Sequence, residues 1–351
     1  MSKFEFEIQE FDTDQTSEEL IEKYIDYLLR RVRYLEPDDP EPSRELLRKN
    51  VIDKHPHIHQ FRWIGINKAN NEIIGSAILG FVTKDHPSYE NEKGRGFGGV
   101  GTDINFRKNG LGKALITPMI IKMKDVGIHL FQTDADEEDG INFLRNLEIG
   151  VETISGVQNR LYLKDVDWDK MEDWRKSGSL KARNVKLQAF NEVPETELEN
   201  FCTFLTTAMN SVPKGESEWD PKITPESRRV DEERRKERGD IWRTMISREE
   251  EGAISGVTEI IYNFANNHQL YQELTAVLPE YRGRGLGKWL KSEMLFYIRD
   301  NYPEVKYIIT GNADINAPML AINNQMGYKN HKQGYGFKFT IEELIKKFVI
   351  E

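Results

Sequence analysis

The sequence predicts a mixed α/β fold built twice in one chain. Three observations carry this prediction. Strand-type alternation and helix-type periodicity interleave, the two halves present the same order of elements, and each half holds a glycine-rich turn between a strand and a helix. At 351 residues the chain is long enough for two such domains.

Each half opens with a short alternating strand, at residues 4–8 and 185–189. Acidic and Ser/Thr residues then cap an amphipathic helix. The first covers 17–33, with Leu20, Ile21, Tyr24, Ile25 and Leu28 on one face. The second covers 195–209, with Leu198, Phe201, Cys202 and Leu205 aligned. A charged helical stretch follows at 42–48 and at 225–229. Paired strands come next, 61–67 with 73–81 and 242–247 with 253–262, joined by polar turns. Strand, glycine-rich turn and helix then follow at 101–106, 107–112 and 113–125, and again at 274–278, 282–287 and 288–299. Arg107 and Arg282, which open the two turns, are 175 residues apart, and the opening strands are similarly spaced. Such an offset means duplication of a whole domain and not a solenoid of short repeats. The expected organisation is an N-terminal domain over 1–167, a polar linker over 168–183 and a C-terminal domain over 184–351.

Composition narrows the function. The net charge of −10 argues against nucleic-acid binding, which needs a concentrated basic face, and suits a cationic amine substrate. No apolar run approaches the roughly 18 residues of a membrane span, and the first residues lack the apolar stretch of a secretory signal. The single cysteine, Cys202, excludes an intrachain disulfide and fits a reducing cytoplasm; a buried apolar role is expected for it.

The turn Arg282-Gly283-Arg284-Gly285-Leu286-Gly287-Lys288 carries the chemistry. The preceding strand stops at Pro279, which cannot donate to a ladder, and a helix begins behind the glycines with Leu286, Trp289, Leu290 and Met294 as its apolar face. A helix N-terminus offers unpaired N–H groups and positive dipole, and glycines let a phosphate come close. Arg282, Arg284 and Lys288 add charge. The turn therefore predicts a phosphate site. It lacks the Gly-Lys-Ser/Thr ending of a Walker loop and the spacing of a dinucleotide fingerprint. Flanking strand and helix separate it from disordered Arg-Gly tracts that contact RNA. The first half repeats the pattern in Arg107-Lys108-Asn109-Gly110-Leu111-Gly112-Lys113.

Arg282-x-x-Gly285-x-Gly287, following Val277-Leu278-Pro279, resembles the acetyl-CoA signature of the GNAT superfamily of N-acetyltransferases. The later stretch from Asn312 to Tyr328 is similar to that family's second landmark, where an asparagine opens a helix ending in Gly-Phe or Gly-Tyr. Counting both halves, the resemblance covers nearly the whole chain and implies two GNAT-like domains. Each would be a mostly antiparallel twisted sheet, splayed at the acyl-CoA site and flanked by helices.

The resemblance implies a mechanism. Pantetheine would add along the strand edge Ala276, Val277 and Leu278, and an N–H at or near Val277 would polarise the thioester carbonyl. The turn from Arg282 to Lys288 would hold the pyrophosphate. Asn316 would contact the pantetheine arm or cap its helix, and Asn323 would line the cofactor from the same helix. A carboxylate, acting directly or through water, must deprotonate the amine. The candidates are Glu259 and Glu273, on strands flanking the splayed edge, where apolar neighbours would raise the carboxyl pKa. Many members place a tyrosine four residues before the late glycine as the acid for the leaving thiolate. Asn323 stands there in this chain, which leaves Tyr328 or water for that role.

In the first half Glu148 replaces the late glycine, Glu137 replaces the asparagine, and Asp134, Asp136, Glu138 and Asp139 add an acidic cluster. That half is expected to keep the fold, with CoA affinity through residues 107–113 left open, and to have lost catalysis. His55, His57 and His59 alternate but lack further ligands, so no metal is expected. The mixed run 228–238 reads as a solvated helix, and Trp219 and Trp242 as core or groove residues. The leading function is acetyl transfer from acetyl-CoA to a primary amine of a small molecule. The alternatives are a non-catalytic acyl-CoA sensor or interaction protein, and acetylation of a protein lysine or N-terminus.

Overall fold

The computed structural model describes residues 4–212, 220–313 and 315–350. Trp219 lies outside them. The chain forms two compact units, one of Met1–Thr153 with Tyr335–Glu351, the other of Ile154–Gly334.

In the first unit β1 (Phe6–Glu10), α1 (Glu18–Leu35) and α2 (Arg44–Ile52) lead to the hairpin β2 (Ile58–Asn67) and β3 (Ile73–Val82). A single turn, α3 (Tyr89–Glu92), precedes β4 (Arg95–Thr102), α4 (Leu111–Asp125), β5 (Leu130–Ala135) and α5 (Glu138–Arg145). Ser17 and Ser43 cap α1 and α2 by accepting from Leu20 and Leu46 N–H. The strand alternation puts Ile64 and Ile66 under α1, against Tyr24 and Ile25, and Trp63 on the other face under Leu115 and Met119 of α4.

In the second unit the order is β6 (Val151–Tyr162), α6 (Trp168–Lys181), β7 (Lys186–Phe190), α7 (Leu198–Asn210), α8 (Pro225–Arg238), β8 (Asp240–Arg248) and β9 (Ile254–Asn263). Then come β10 (Gln269–Val277), α9 (Leu286–Asn301), β11 (Tyr307–Ala313) and α10 (Ala317–Met326). Helix α9 covers one face through Leu290 and Met294 on Ile260, Leu270 and Ile308; α7 covers the other through Phe201, Cys202 and Leu205 on Ile246, Val257 and Ala276. Burial pushes the Cys202 thiol up to about 11. The chain ends in β12 (Lys329–Thr340) and α11 (Ile341–Phe348).

The strand order is β1-β2-β3-β4-β5-β12 in the first unit and β6-β11-β10-β9-β8-β7 in the second. Each sheet is antiparallel except for one neighbouring pair, β4 with β5 and β10 with β11. The last strand of each sheet comes from the other half of the sequence. From Tyr335 on, β12 pairs with β5, and β6 pairs with β11 from Gly156 to Tyr162. The domain limits read from the sequence thus differ from the compact units, because the duplicated pattern does not record which sheet a final strand joins.

Residues 168–183, expected as a linker, are mostly helical. Helix α6 is capped by Asp167, buries Met171 and Trp174, and packs against α9. Its polar composition concealed a short apolar stripe. Gly178 lets the two helices meet, since a Cβ there would lie 2.5 Å from Trp289 Cβ. Gly178→Ala is expected to cost about 1–3 kcal/mol through forced separation of α6 and α9. Thermal unfolding of the full chain checks this, and an unchanged midpoint would contradict the contact.

Candidate functional site

The site in the second unit begins where two strands part. Parallel pairing of β10 with β11 covers Gln269, Leu270 and Tyr271 against Tyr307, Ile308 and Ile309, and then stops. On its other side β10 stays paired with β9 as far as Val277, with a bulge between Gln272 and Thr275. The bulge sets two residues, Glu273 and Leu274, opposite Glu259 and bends β10 away from β11. Leu278 N–H donates to Ser255 O at 3.0 Å, on the β9 side. Alternate residues of a strand bond to the same neighbour, so Ala276 also faces β9 while Val277 N–H faces the parted side. Ala276 and Leu278 are buried and Val277 is half-buried.

The turn follows this edge. Pro279–Tyr281 form a 3-10 turn, Arg282 is extended, and Gly283 and Gly285 have φ of 79° and 83°, with Gly285 as N-cap of α9. Nothing lies within 4 Å of where a Cβ would stand on either glycine. The first α-helical bond runs from Trp289 N–H to Gly285 O. The N–H groups of Leu286, Gly287 and Lys288 precede it and have no helical acceptor. The cradle is therefore an open, backbone-lined cup with positive dipole behind it.

The cations around the cup are turned to other work. Arg284 makes a two-pronged pair with buried Glu249, at 2.9 and 3.0 Å. Arg282 donates to Val277 O at 3.0 Å and to Ser211, the C-cap of α7. Lys288 donates to Gln325 Oε1 at 2.7 Å and lies over the Trp174 ring. In this arrangement Arg282 and Arg284 brace the turn.

The late landmark is assembled beside it. Asn316 caps α10, accepting from Met319 N–H at 3.4 Å. Asn323 is buried and donates to Asn312 Oδ1 on β11 at 2.6 Å, while its own Oδ1 has no partner among the described residues. Gly327, at φ 102°, ends α10, and Tyr328 is buried, its hydroxyl pushed far above the ordinary range by burial.

The two carboxylate candidates have different surroundings. Glu259 is buried, but it accepts from Arg228 Nη1 at 3.0 Å and Thr244 Oγ1 at 2.6 Å. Apolar neighbours were expected; the sequence run 228–238 had concealed that α8 turns Arg228 and Glu232 inward, each at most 9% exposed. Breaking such a buried pair costs about 3–5 kcal/mol. Glu273 is exposed on the bulge and makes no hydrogen bond or ion pair among the described residues. Desolvation holds its carboxyl above the usual range; Arg235 opposes this and Glu259 adds to it.

The first unit repeats the architecture. Pairing of β4 with β5 stops after Arg95, Gly96 and Phe97, and Gly110, at φ 84°, caps α4. Leu111 is buried under the sheet, Gly112 faces open space, Lys113 is exposed, and Asn109 donates to Arg107 O. Lys108 has a left-handed φ of 62°. A cavity of about 440 Å³ opens between the parted strands, lined by Gly98–Gly101, Thr133, Asp134 and apolar residues of α4 and α11. The acidic cluster lies on this loop. Glu137 and Asp139 accept from Arg107 at 2.5 and 3.0 Å, so its cation is neutralised internally.

A family model described as the acetyltransferase (GNAT) family matches residues 18–148 and 213–328, one segment in each half. The chain belongs to the GNAT family. Among solved structures, a tandem GNAT protein from the clavulanic acid biosynthesis pathway has 16% identity and a TM-score of 0.74, with 96% of this chain and 99% of that chain covered. A GCN5-related N-acetyltransferase from Sphaerobacter thermophilus has 13% identity and a TM-score of 0.64, with 96% of each chain covered. A glucosamine N-acetyltransferase region of a fungal multi-domain β-N-acetylglucosaminidase has 11% identity and a TM-score of 0.65, with 96% of this chain and 38% of that chain covered. No curated protein matches. These similarities establish a tandem GNAT fold.

Within this GNAT fold one residue escaped the sequence reading. Lys291 lies on α9 one turn after Gly287, 1% exposed, with its ammonium 5.3 Å from the Tyr328 ring centre. It makes no ion pair among the described residues, and burial alone takes it down to about 7. Its signal was a lysine between Leu290 and Met294 of an apolar stripe. Since the folded-state pKa lies below the unfolded ~10.4, the unfolded chain binds more protons between these values, and stability rises with pH across that window. Lys291→Met is expected to raise stability at pH 7 and to flatten its rise between pH 7 and 10. Unfolding midpoints at several pH values would show this, and a variant with the wild-type slope would contradict the burial of the charge.

Proposed function

We propose that the second unit is an N-acetyltransferase that moves an acetyl group from acetyl-CoA to the primary amine of a small molecule. The observation that supports it most is the parted β10 edge leading directly into the αL-glycine cup at the N-terminus of α9. A ligand with a peptide-like arm ending in a diphosphate fits both parts, the arm as an added strand and the diphosphate on the N–H groups of Leu286, Gly287 and Lys288. Acetyl-CoA would supply the acyl group as a thioester.

The chain's own residues then divide the work. Val277 N–H serves as the oxyanion donor. Glu273, exposed and held above the usual carboxyl range, takes the proton from the ammonium of the acceptor, so that nitrogen attacks the acyl carbon as a neutral amine. The C–N bond forms, the C–S bond breaks, and the second proton lost by the nitrogen ends on the leaving sulfur. Water or Tyr328 relays that proton, in place of the tyrosine that Asn323 replaces. Glu259 positions Arg228 and Thr244 and is not the base. Neutralised Arg107 suits a first unit without this activity.

A second reading, an acyl-CoA sensor without turnover, draws support from Asn323, whose side chain is tied to Asn312 and replaces an acid. Two variants separate the readings. Gly285→Val puts a side chain in the cup at a left-handed φ and is expected to weaken CoA binding by at least about tenfold in calorimetry. Glu273→Gln is expected to leave CoA affinity unchanged and to lower kcat by about 10²–10⁴-fold, measured as thiol release over an amine panel. In the wild type the rate should rise with pH through an apparent pKa above the ordinary 4.5 of a glutamate, as Glu273 loses its proton. CoA binding with no turnover of any amine would favour the sensor.

A further inference from the structure

One face of the second sheet carries a set of charges that is almost fully matched. By register, Trp242 and Thr244 of β8, Glu259 and Ile261 of β9, and Tyr271 and Glu273 of β10 share this face. Helix α8 packs on β8 and presents Arg228, Glu232 and Arg235 at helical spacing. Arg228 pairs with Glu232 at 2.9 Å and Glu259 at 3.0 Å, and Glu232 also accepts from Val193 N–H.

Two groups are left over. The Arg235 guanidinium lies 4.6 Å over the Trp242 ring and makes no hydrogen bond or ion pair among the described residues. Glu273, at the parted edge, makes none either. Each feels the other's charge, yet they do not meet. Arg235 is half-buried and Glu273 exposed, and neither has a hydrogen-bonding or ionic partner among the described residues. A cation and an anion on one face of the sheet, each without an ionic partner, form a fixed dipole. The molecule that satisfies both ends carries an anion and an ammonium of its own.

We infer that the acceptor is an amine that also carries a carboxylate, an amino-acid-type zwitterion, with its carboxylate on Arg235 and its ammonium at Glu273. This inference rests on the acetyltransferase reading and narrows its substrate. The Glu273 end lies on β10 four residues before Val277, the proposed oxyanion donor. Arg235 lies on the α8 side and sets the distance at which the amine is presented. Arg suits this role because its planar fork takes a carboxylate at two points and its face stacks on Trp242. The product is the N-acetylated amino acid, with CoA thiol released. Glu273 receives one proton per turnover and returns it to solvent.

The test uses the full chain and acceptors in pairs, each amino acid against the amine that lacks its carboxylate. For the preferred amino acid, kcat/KM from thiol release is expected to exceed that of its partner by at least 100-fold. In Arg235→Met that ratio is expected to fall to within about threefold of unity, mainly through KM. A variant that merely loosens the fold would lower both members alike and keep the ratio, and that result would overturn the inference. So would wild-type enzyme that treats the members of every pair equally. Calorimetry of the same amino acids with CoA present reads the site without turnover. Amino-acid binding that disappears in Arg235→Met, in a protein that acetylates nothing, would sustain the acceptor site and remove the catalytic reading. Absence of both binding and turnover for every amino acid would overturn the inference.

Discussion

The proposed function rests on a pairing that ends early. Strands β10 and β11 are hydrogen-bonded over three residues and then part, while β10 remains fixed to β9 on its other side. A strand edge left open inside a sheet is costly unless something covers it, because its N–H and C=O groups lie in a partly buried groove. The bulge at Gln272–Thr275 supplies the bend, and buried Thr258, Thr275 and Gln272 bond to one another to keep the bent strand on β9. Thr310 Oγ1 reaches back to Gln272 O at 3.1 Å and marks the last contact before the gap. The cup of αL glycines then lies in line with the open edge, since only two residues, Leu278 and Pro279, separate β10 from the middle of the turn's 3-10 segment.

The two units show how charge decides what a shared backbone does. Both have the short parallel pairing, the 3-10 turn and a left-handed glycine capping the next helix. In the first unit the acidic start of α5 is bonded to Arg107, so the loop carries its own counter-ions. In the second, the anion paired with Arg284 is Glu249 of the β8–β9 turn, and α10 begins with an uncharged asparagine at the place where α5 begins with Glu137. A polyanion would meet carboxylates in one case and amide groups in the other. The first unit nevertheless keeps an open cleft between β4 and β5, lined by apolar groups and by Asp134, whose carboxyl is raised by desolvation and by Asp136.

The face proposed for the acceptor illustrates why a buried carboxylate is not by itself a base. Glu259 looked suitable because it lies between apolar residues in sequence, but two donors hold it. Its neighbour across the bulge, Glu273, has no such donor among the described residues. The bulge leaves it exposed while protein groups on α8 and β9 crowd its carboxyl, and that combination of access with desolvation is what a proton acceptor needs.

Much of the architecture was written in local sequence. Periodicity gave the helices and strands, the Ser and acidic residues from Ser17 marked the start of α1, and the glycines of 283–287 and 110–112 marked backbone turns that few other residues can make, because these are properties of neighbouring residues. What the sequence could not decide were contacts between residues far apart in the chain. The membership of β12 in the first sheet, the packing of α6 on α9 through Gly178, the pairing of Arg228 with Glu259, and the burial of Lys291 each join groups more than 30 residues apart or depend on such packing. Local pattern determined which elements exist and where a diphosphate cup can form. Tertiary structure alone decided which charges are neutralised, because the partner that neutralises a charge is chosen by folding and not by proximity along the chain.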